Sequence, residues 1–242
     1  MRIAALSDPH GNAVALEAVI ADLKRQSPDA VLVLGDLTMR GPQPKECVDL
    51  VRSLNPLAVL RGNYDDLFAG PPWPWFDPQV PKHQYIQRGY AYDCERLTAE
   101  DRRWLATLPE HRALVLEGIP VELFHATPTS LREITWPWAP LEELERLKAN
   151  EQTKLVIFGH IHHAFVRQAR GTLVVNPGSA GLPFDGDTRA SYAIIDLNGP
   201  DIAVQLRRVT YDREKAADVA RACGMPDLES FIAGIQTGLY PY

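Results

Sequence analysis

Five short apolar runs in this 242-residue chain each break off into side chains that can hold a metal ion. The runs AALSDPHGN, AVLVLGD, LAVLRGN, VELFHA and LVIFGHIHH deliver, in order, Asp8 and His10, Asp36, Asn63, His125, then His160 and His162. Strand-like runs that close on donors imply a sheet with a site at one rim. Oxygen and imidazole donors in one set are what a pair of divalent transition ions prefers.

In an extended segment Asp8 and His10 project to the same side, so one strand end offers one ion a carboxylate and an imidazole, and the same is expected of His160 and His162. Asp36 is the only carboxylate closing the second run, and its two oxygens make it the natural bridge between ions about 3.5 to 4 Å apart. Such a pair supports phosphoester hydrolysis, generating hydroxide near neutral pH and clamping phosphoryl oxygens. Each fragment alone also fits a structural role. Asp8-Pro9-His10-Gly11-Asn12 reads as a turn, Asp36 as a helix cap, Asn63 as a left-handed residue after Gly62, and His125 as a satisfied core histidine. Their coincidence at five strand ends separates the metal reading from these.

The first half alternates β-rich runs with helical spacing: Arg2 to Ser7, then Val14, Leu16, Val19, Ile20 and Leu23, then Ala30 to Leu34. This predicts an α/β fold with a largely parallel sheet. Pro28 stops the first helix, Pro44 opens a second, and Leu57 to Leu60 forms the third strand. From about 64 to 113 the pattern changes, and Gly70-Pro71-Pro72-Trp73-Pro74-Trp75-Phe76 suits neither a central strand nor a regular helix, which predicts a loop or lid. Within it, Thr98 is placed to cap a helix closed by Pro109. A second aromatic stretch, Thr135 to Pro140, precedes a helix over Leu141 to Lys148. Asn198-Gly199 predicts a hairpin between Ser191–Asp196 and Ile202–Val209. Asp212 then caps a helix ended by Gly224, and a short helix precedes the GLYPY tail. One domain over 1–242 is expected, with the lid-like insert and a C-terminal helical extension from about 212 to 242.

With 45% hydrophobic and 23% charged residues the chain has a soluble globular composition, and no apolar stretch is long enough to cross a membrane. Three scattered cysteines and an N-terminus without a signal-peptide core predict a cytoplasmic protein with reduced thiols. A net charge of -6 argues against nucleic acid as the partner, although Arg40 and Arg61 near the donors suffice for one phosphate group. His83 and His111 lie outside every motif, and Trp73, Trp75, Trp136 and Trp138 read first as loop packing.

In order and spacing, Asp8/His10, Gly35-Asp36, Gly62-Asn63, His125 and Gly159-His160/His162 resemble the calcineurin-like metallophosphoesterases, over the chain from its start to about Ser179. The resemblance implies a four-layer α/β/β/α sandwich of mixed sheets with the metals at strand ends. It assigns one ion to Asp8, His10 and His162 and the other to Asn63, His125 and His160, with Asp36 bridging. Gly35 to Pro42 and Leu60 to Asn63 further resemble segments of phosphoprotein phosphatases and dinucleoside tetraphosphatases. That likeness implies that Arg40 grips substrate phosphate with its planar fork; the alternative is an arginine capping a turn. Asn176-Pro177-Gly178-Ser179 is a familiar closing segment of bacterial members, read here as a tight turn.

Tyr64 departs from the pattern, standing where most relatives carry a histidine thought to serve the leaving group, while Asp65 is retained. A phenol can donate a proton but is a poorer acid than imidazolium at neutral pH, so the chemistry is expected to lean on good leaving groups, with His163 a spare acid whose first reading is a supporting or solvent-facing role. The expectation is therefore a hydrolase of phosphomonoesters or phosphodiesters using two divalent ions, with manganese, iron, zinc or nickel suited to the donors. Its substrate would be a small phosphoester, a phosphoprotein or a dinucleoside polyphosphate. The alternative is a metal-bound interaction or sensor protein with little turnover.

Overall fold

Strand β1 (Arg2–Leu6) has apolar neighbours on both faces: Ile3 and Ala5 enter one buried cluster, Ala4 and Leu6 another. A strand's period of two makes that division, so the sheet containing β1 must be covered on each side. The computed structural model describes residues 1–71 and 73–241; Pro72 of the Pro-rich stretch and Tyr242 of the GLYPY tail lie outside them.

The chain opens as two parallel crossovers: β1, α1 (Ala13–Gln26), β2 (Ala30–Val33), α2 (Pro44–Ser53) and β3 (Ala58–Val59). Asn12 caps α1 by accepting from the Ala15 N–H, and Pro44 occupies the first turn of α2. A 3-10 turn at Asp65–Ala69 follows, then α3 (Pro81–Arg96) and α4 (Ala99–Thr107). A second sheet then forms from β4 (His111–Leu116), β5 (Ile119–Phe124), β6 (Leu155–Phe158), β7 (Ala164–Ala169) and β8 (Thr172–Pro177), with α5 (Leu141–Glu145) between β5 and β6. The hairpin β9 (Ala190–Asn198) and β10 (Asp201–Val209) returns to the first sheet, antiparallel to β1, and α6 (Arg213–Ala222) and α7 (Leu228–Thr237) end the fold.

The sheet orders are β10-β9-β1-β2-β3 and β4-β5-β6-β8-β7. Between them lies an apolar layer that includes Ile3, Leu32 and Leu34 from one sheet and Leu123, Leu155 and Ile157 from the other. The outer face of the first sheet packs on α1, α2, α6 and α7, and Phe124, Val156 and Phe158 of the second pack on Leu144 and Leu147. This is the four-layer mixed α/β sandwich. No helix among the described residues is long and apolar enough to cross a membrane.

Several element boundaries differ from expectation. The insert is not a plain loop: α3 occupies 16 residues of it, although Gly70–Phe76 contains no helix or strand among its described residues. α3 buries only Ile86, Tyr92 and Asp93, too few to write a helical stripe into the sequence. Strand β3 is two residues long, α5 stops at Glu145, and β4 pairs with β5 where no strand was expected. Thr98 caps α4 as expected, through reciprocal bonds with Asp101.

Candidate metal centre

Every expected ligand follows the C-terminal end of a parallel strand: Asp8 and His10 after β1, Asp36 after β2, Asn63 after β3, His125 after β5, and His160 and His162 after β6. The structure corrects the expected local geometry. Asp8, His10, Asp36, His160 and His162 have φ of 55°, 47°, 53°, 68° and 57°, so these donors sit on left-handed turns, not extended segments. Such conformations are costly for residues with side chains and persist where surrounding bonds enforce them. His160 and His162 also do not share one group of donors. Asp8, His10 and His162 form one cluster and Asp36, His125 and His160 the other, with ligand atoms within 4.8 Å in each.

The turns are laced together by backbone. Asp8 N–H donates to the Gly35 carbonyl (3.0 Å), His10 N–H to Asp36 (3.1 Å) and Gly159 N–H to His125 (2.8 Å). Asp65 is fully buried and does not line the cleft; its carboxylate accepts from the N–H groups of Asp36 (2.7 Å), Leu37 (3.1 Å) and Gly62 (2.9 Å). Burial and the Asp36 charge push its pKa up to about 7 against those three donors. Ser179 and Asn176 do more than turn the chain. Ser179 Oγ donates to the Asp8 carbonyl (2.6 Å) and Asn176 Nδ2 to that of Gly159 (2.7 Å), tying the loops after β1 and β6 to the end of β8.

The hydrogen bonds of the imidazoles decide which nitrogens face inward. His10 Nδ1 meets the Thr38 carbonyl at 3.2 Å and His162 Nδ1 meets that of Leu182, so both Nδ1 atoms carry the proton. Their Nε2 atoms then confront each other at 3.1 Å, beside Asp8 Oδ1, a buried oxygen with no hydrogen-bond partner among the described residues. His125 Nδ1 likewise donates to Leu34 (2.7 Å), leaving Nε2 at 3.1 Å from Asn63 Oδ1 and 3.4 Å from Asp36 Oδ2. Acceptors facing acceptors in a buried space are stable only with positive charge between them. Divalent ions fit both positions.

The charge states agree. Burial drives His10 down to about 3 in spite of Asp36, so it is a neutral donor. Burial and the neighbouring His125 lower His160 to about 4. At His125 burial is outweighed by Asp36, which raises it to about 9, so its proton stands where a second cation would. Asp36, despite burial, is held below the usual carboxylate range by His125. Its Oδ2 lies 3.6 Å from His10 Nε2 and 3.4 Å from His125 Nε2, within reach of both clusters.

Arg40 lines the cleft over the centre. It has no carboxylate within ion-pair distance among the described residues and lies over Phe184 and Tyr240, 5.2 and 5.1 Å from the ring centroids. Tyr64 is buried, edge-on to His10 at 5.4 Å, and its backbone N–H donates to Asp36 Oδ1 (2.8 Å). His163 lies at the rim against Trp136, 5.4 Å between centroids. His83 packs on Trp75 and His111 on Phe124, away from the donors. Sequence reasoning missed Arg132, whose carbonyl meets His160 Nε2 at 3.3 Å and whose guanidinium donates to the Asn63 carbonyl at 3.2 Å. It steadies a donor from each sheet. Nothing in the sequence marks it, because a backbone carbonyl carries no residue signature.

Residues 1–199 match the calcineurin-like phosphoesterase superfamily domain. An uncharacterized protein of Methanocaldococcus jannaschii is 31% identical over 229 residues, 88% of this chain and 89% of its own. A metallophosphoesterase from Sphaerobacter thermophilus, 29% identical, has a similar structure with a TM-score of 0.77 over 99% of this chain and 100% of that one. A hypothetical protein of Pyrococcus horikoshii OT3 shares the fold at a TM-score of 0.84 over 98% of both chains, with 21% identity. With most of its length matched and two candidate metal-ligand groups assembled at the strand ends, the chain belongs to the calcineurin-like phosphoesterase superfamily.

Proposed function

We propose that this protein hydrolyses phosphomonoesters or phosphodiesters at a centre of two divalent metal ions. The observation that carries the reading is the confrontation of His10 Nε2 and His162 Nε2 at 3.1 Å beside the unpartnered Asp8 Oδ1. Asp8, His10 and His162 hold one ion, Asn63, His125 and His160 the other, and Asp36 lies between. When bound, such a pair lowers the pKa of water and offsets the charge of the phosphoryl group. Manganese, iron, zinc and nickel suit the donors.

The chain's own residues do the rest. Arg40, with no carboxylate within ion-pair distance among the described residues, offers its planar fork to phosphate oxygens. Asp65 orients the loops after β2 and β3 through three backbone N–H groups, and Tyr64 orients Asp36 through its own. Both are positioning residues. The substrate is a small phosphoester, with phosphoproteins and dinucleoside polyphosphates among the candidates.

Metal analysis of the purified chain, followed by turnover of nitrophenyl phosphate and bis-nitrophenyl phosphate, tests the reading. Two ions per chain and hydrolysis are expected. Asp36→Asn should cost more than the roughly 10- to 100-fold that losing a group that merely orients a ligand costs. Unchanged turnover in that variant removes the mechanism, and bound metal without turnover across a phosphoester panel favours a metal-bound interaction or sensor protein.

A further inference from the structure

Exposed apolar side chains are unevenly spread over this protein. Of the eight large ones among the described residues, five belong to two short segments at the metal cleft: Ile134, Trp136 and Trp138 on one, Leu239 and Tyr240 on the other. Concentrated exposure of this kind marks a place where a ligand covers apolar surface. Trp136 lines the cleft and leaves 39% of its surface open. It is also held in place. Trp138 stacks on it at 5.3 Å with 3° between the ring planes, and His163 meets both indoles edge-on. Arg167 fixes the backbone beneath by donating to the carbonyls of Pro137 (3.1 Å) and Ala139 (2.6 Å). A rigid, pre-set aromatic surface loses little freedom when a ring settles on it.

The rest of the cleft wall says what such a ring is attached to. Arg40, Lys82 and Arg132, the last also 3.7 Å from Asp66, line it, and among the described residues of its wall Asp36 is the only carboxylate, although the chain as a whole carries a net charge of -6. Its volume of about 430 Å³ leaves room for an organic group beside the phosphate. We propose that the cleft selects phosphoesters whose organic part carries a planar aromatic ring, either a nucleobase or an aryl group, seated against Trp136. The assignment rests on the phosphoesterase reading of the same cleft and specifies what the cleft holds.

Phosphonates test this without turnover, because their C–P bond resists hydrolysis. Calorimetric binding to the metal-loaded protein is compared for methylphosphonate, cyclohexylphosphonate, phenylphosphonate and 9-(2-phosphonoethyl)adenine. One or both of the ring-bearing compounds should bind about tenfold more tightly than methylphosphonate, the scale of base stacking on an aromatic side chain. Cyclohexylphosphonate should fall short of the better of them. A gain confined to the phenyl compound identifies the aryl class, and one confined to the adenine compound identifies nucleotides. Trp136→Ala should bring the ratio close to one, and Trp136→Leu, apolar but without a flat face, should not restore it. Equal binding of all four, a cyclohexyl compound as tight as the better ring, or a preference that survives Trp136→Ala overturns the proposal. Equal binding together with intact ester hydrolysis sinks the ring site alone. Absence of both metal and hydrolysis sinks the phosphoesterase reading with it.

Discussion

At Tyr64 the backbone and the phenol serve different ends. The N–H holds Asp36 at 2.8 Å, whereas burial raises the phenol's pKa further above its ordinary value in spite of Arg40 nearby. A proton held that tightly is a poor one to give to a leaving group. Tyr64→Phe should therefore lower turnover of nitrophenyl esters by far less than the roughly 10²- to 10⁴-fold that loss of a general acid costs. Steady-state kinetics on matched nitrophenyl and alkyl esters checks this, and a hundredfold loss in the variant would identify the phenol as the acid. The candidate ligands were readable in the sequence because imidazoles and carboxylates closing apolar strands are costly without something to bind. Asp65 and Arg132 were less so: their work runs through backbone N–H and carbonyl groups, which any residue at the facing position supplies.

Among the elements, the loops after β2 and β3 are pressed together where Gly62 lies. A Cβ on that residue would come within 2.1 Å of Asp36 Oδ1 and 2.3 Å of Asp36 N, so no larger residue fits without moving the carboxylate. Gly62→Ala should keep the fold but lose metal and about 10- to 100-fold in activity, the range for disturbing a group that orients a ligand. Metal content measured beside circular dichroism distinguishes this from unfolding; full metal occupancy in the variant would refute it. Helix ends were legible where a cap marks them, as at Thr98 and Asp212. Helix α3 was not, because distant loops hold it: Asp93 accepts from the Met39 N–H at 2.7 Å and Tyr92 donates to the Pro42 carbonyl at 2.8 Å. A local pattern carries no trace of such contacts. The same contacts brace the turn that carries Arg40.

For the molecule as a whole, ions that bind only the folded chain add to its stability by mass action. At a hundredfold excess over Kd that is about 2.7 kcal/mol, which in a chain of this size corresponds to a Tm change of about 5 to 10 °C. Chelation should lower the midpoint by that amount and added metal should restore it, as read by scanning calorimetry; an unmoved midpoint would mean that no ion is held. The parallel half of the first sheet was legible from its alternating runs. The return of β9 to lie beside β1 was not, because pairing between residues 2–5 and 193–196 joins the two ends of the sequence. Asp8, His10, Asp36 and Asn63 hang from the first sheet, and His125, His160 and His162 from the second. The centre is thus a rivet through two plates, and its spacing reports how those plates register. A slight slip in the layer around Leu32 and Ile157 would alter the gap between the two groups of donors, which makes the deep interior a tuning element for what the rim can hold.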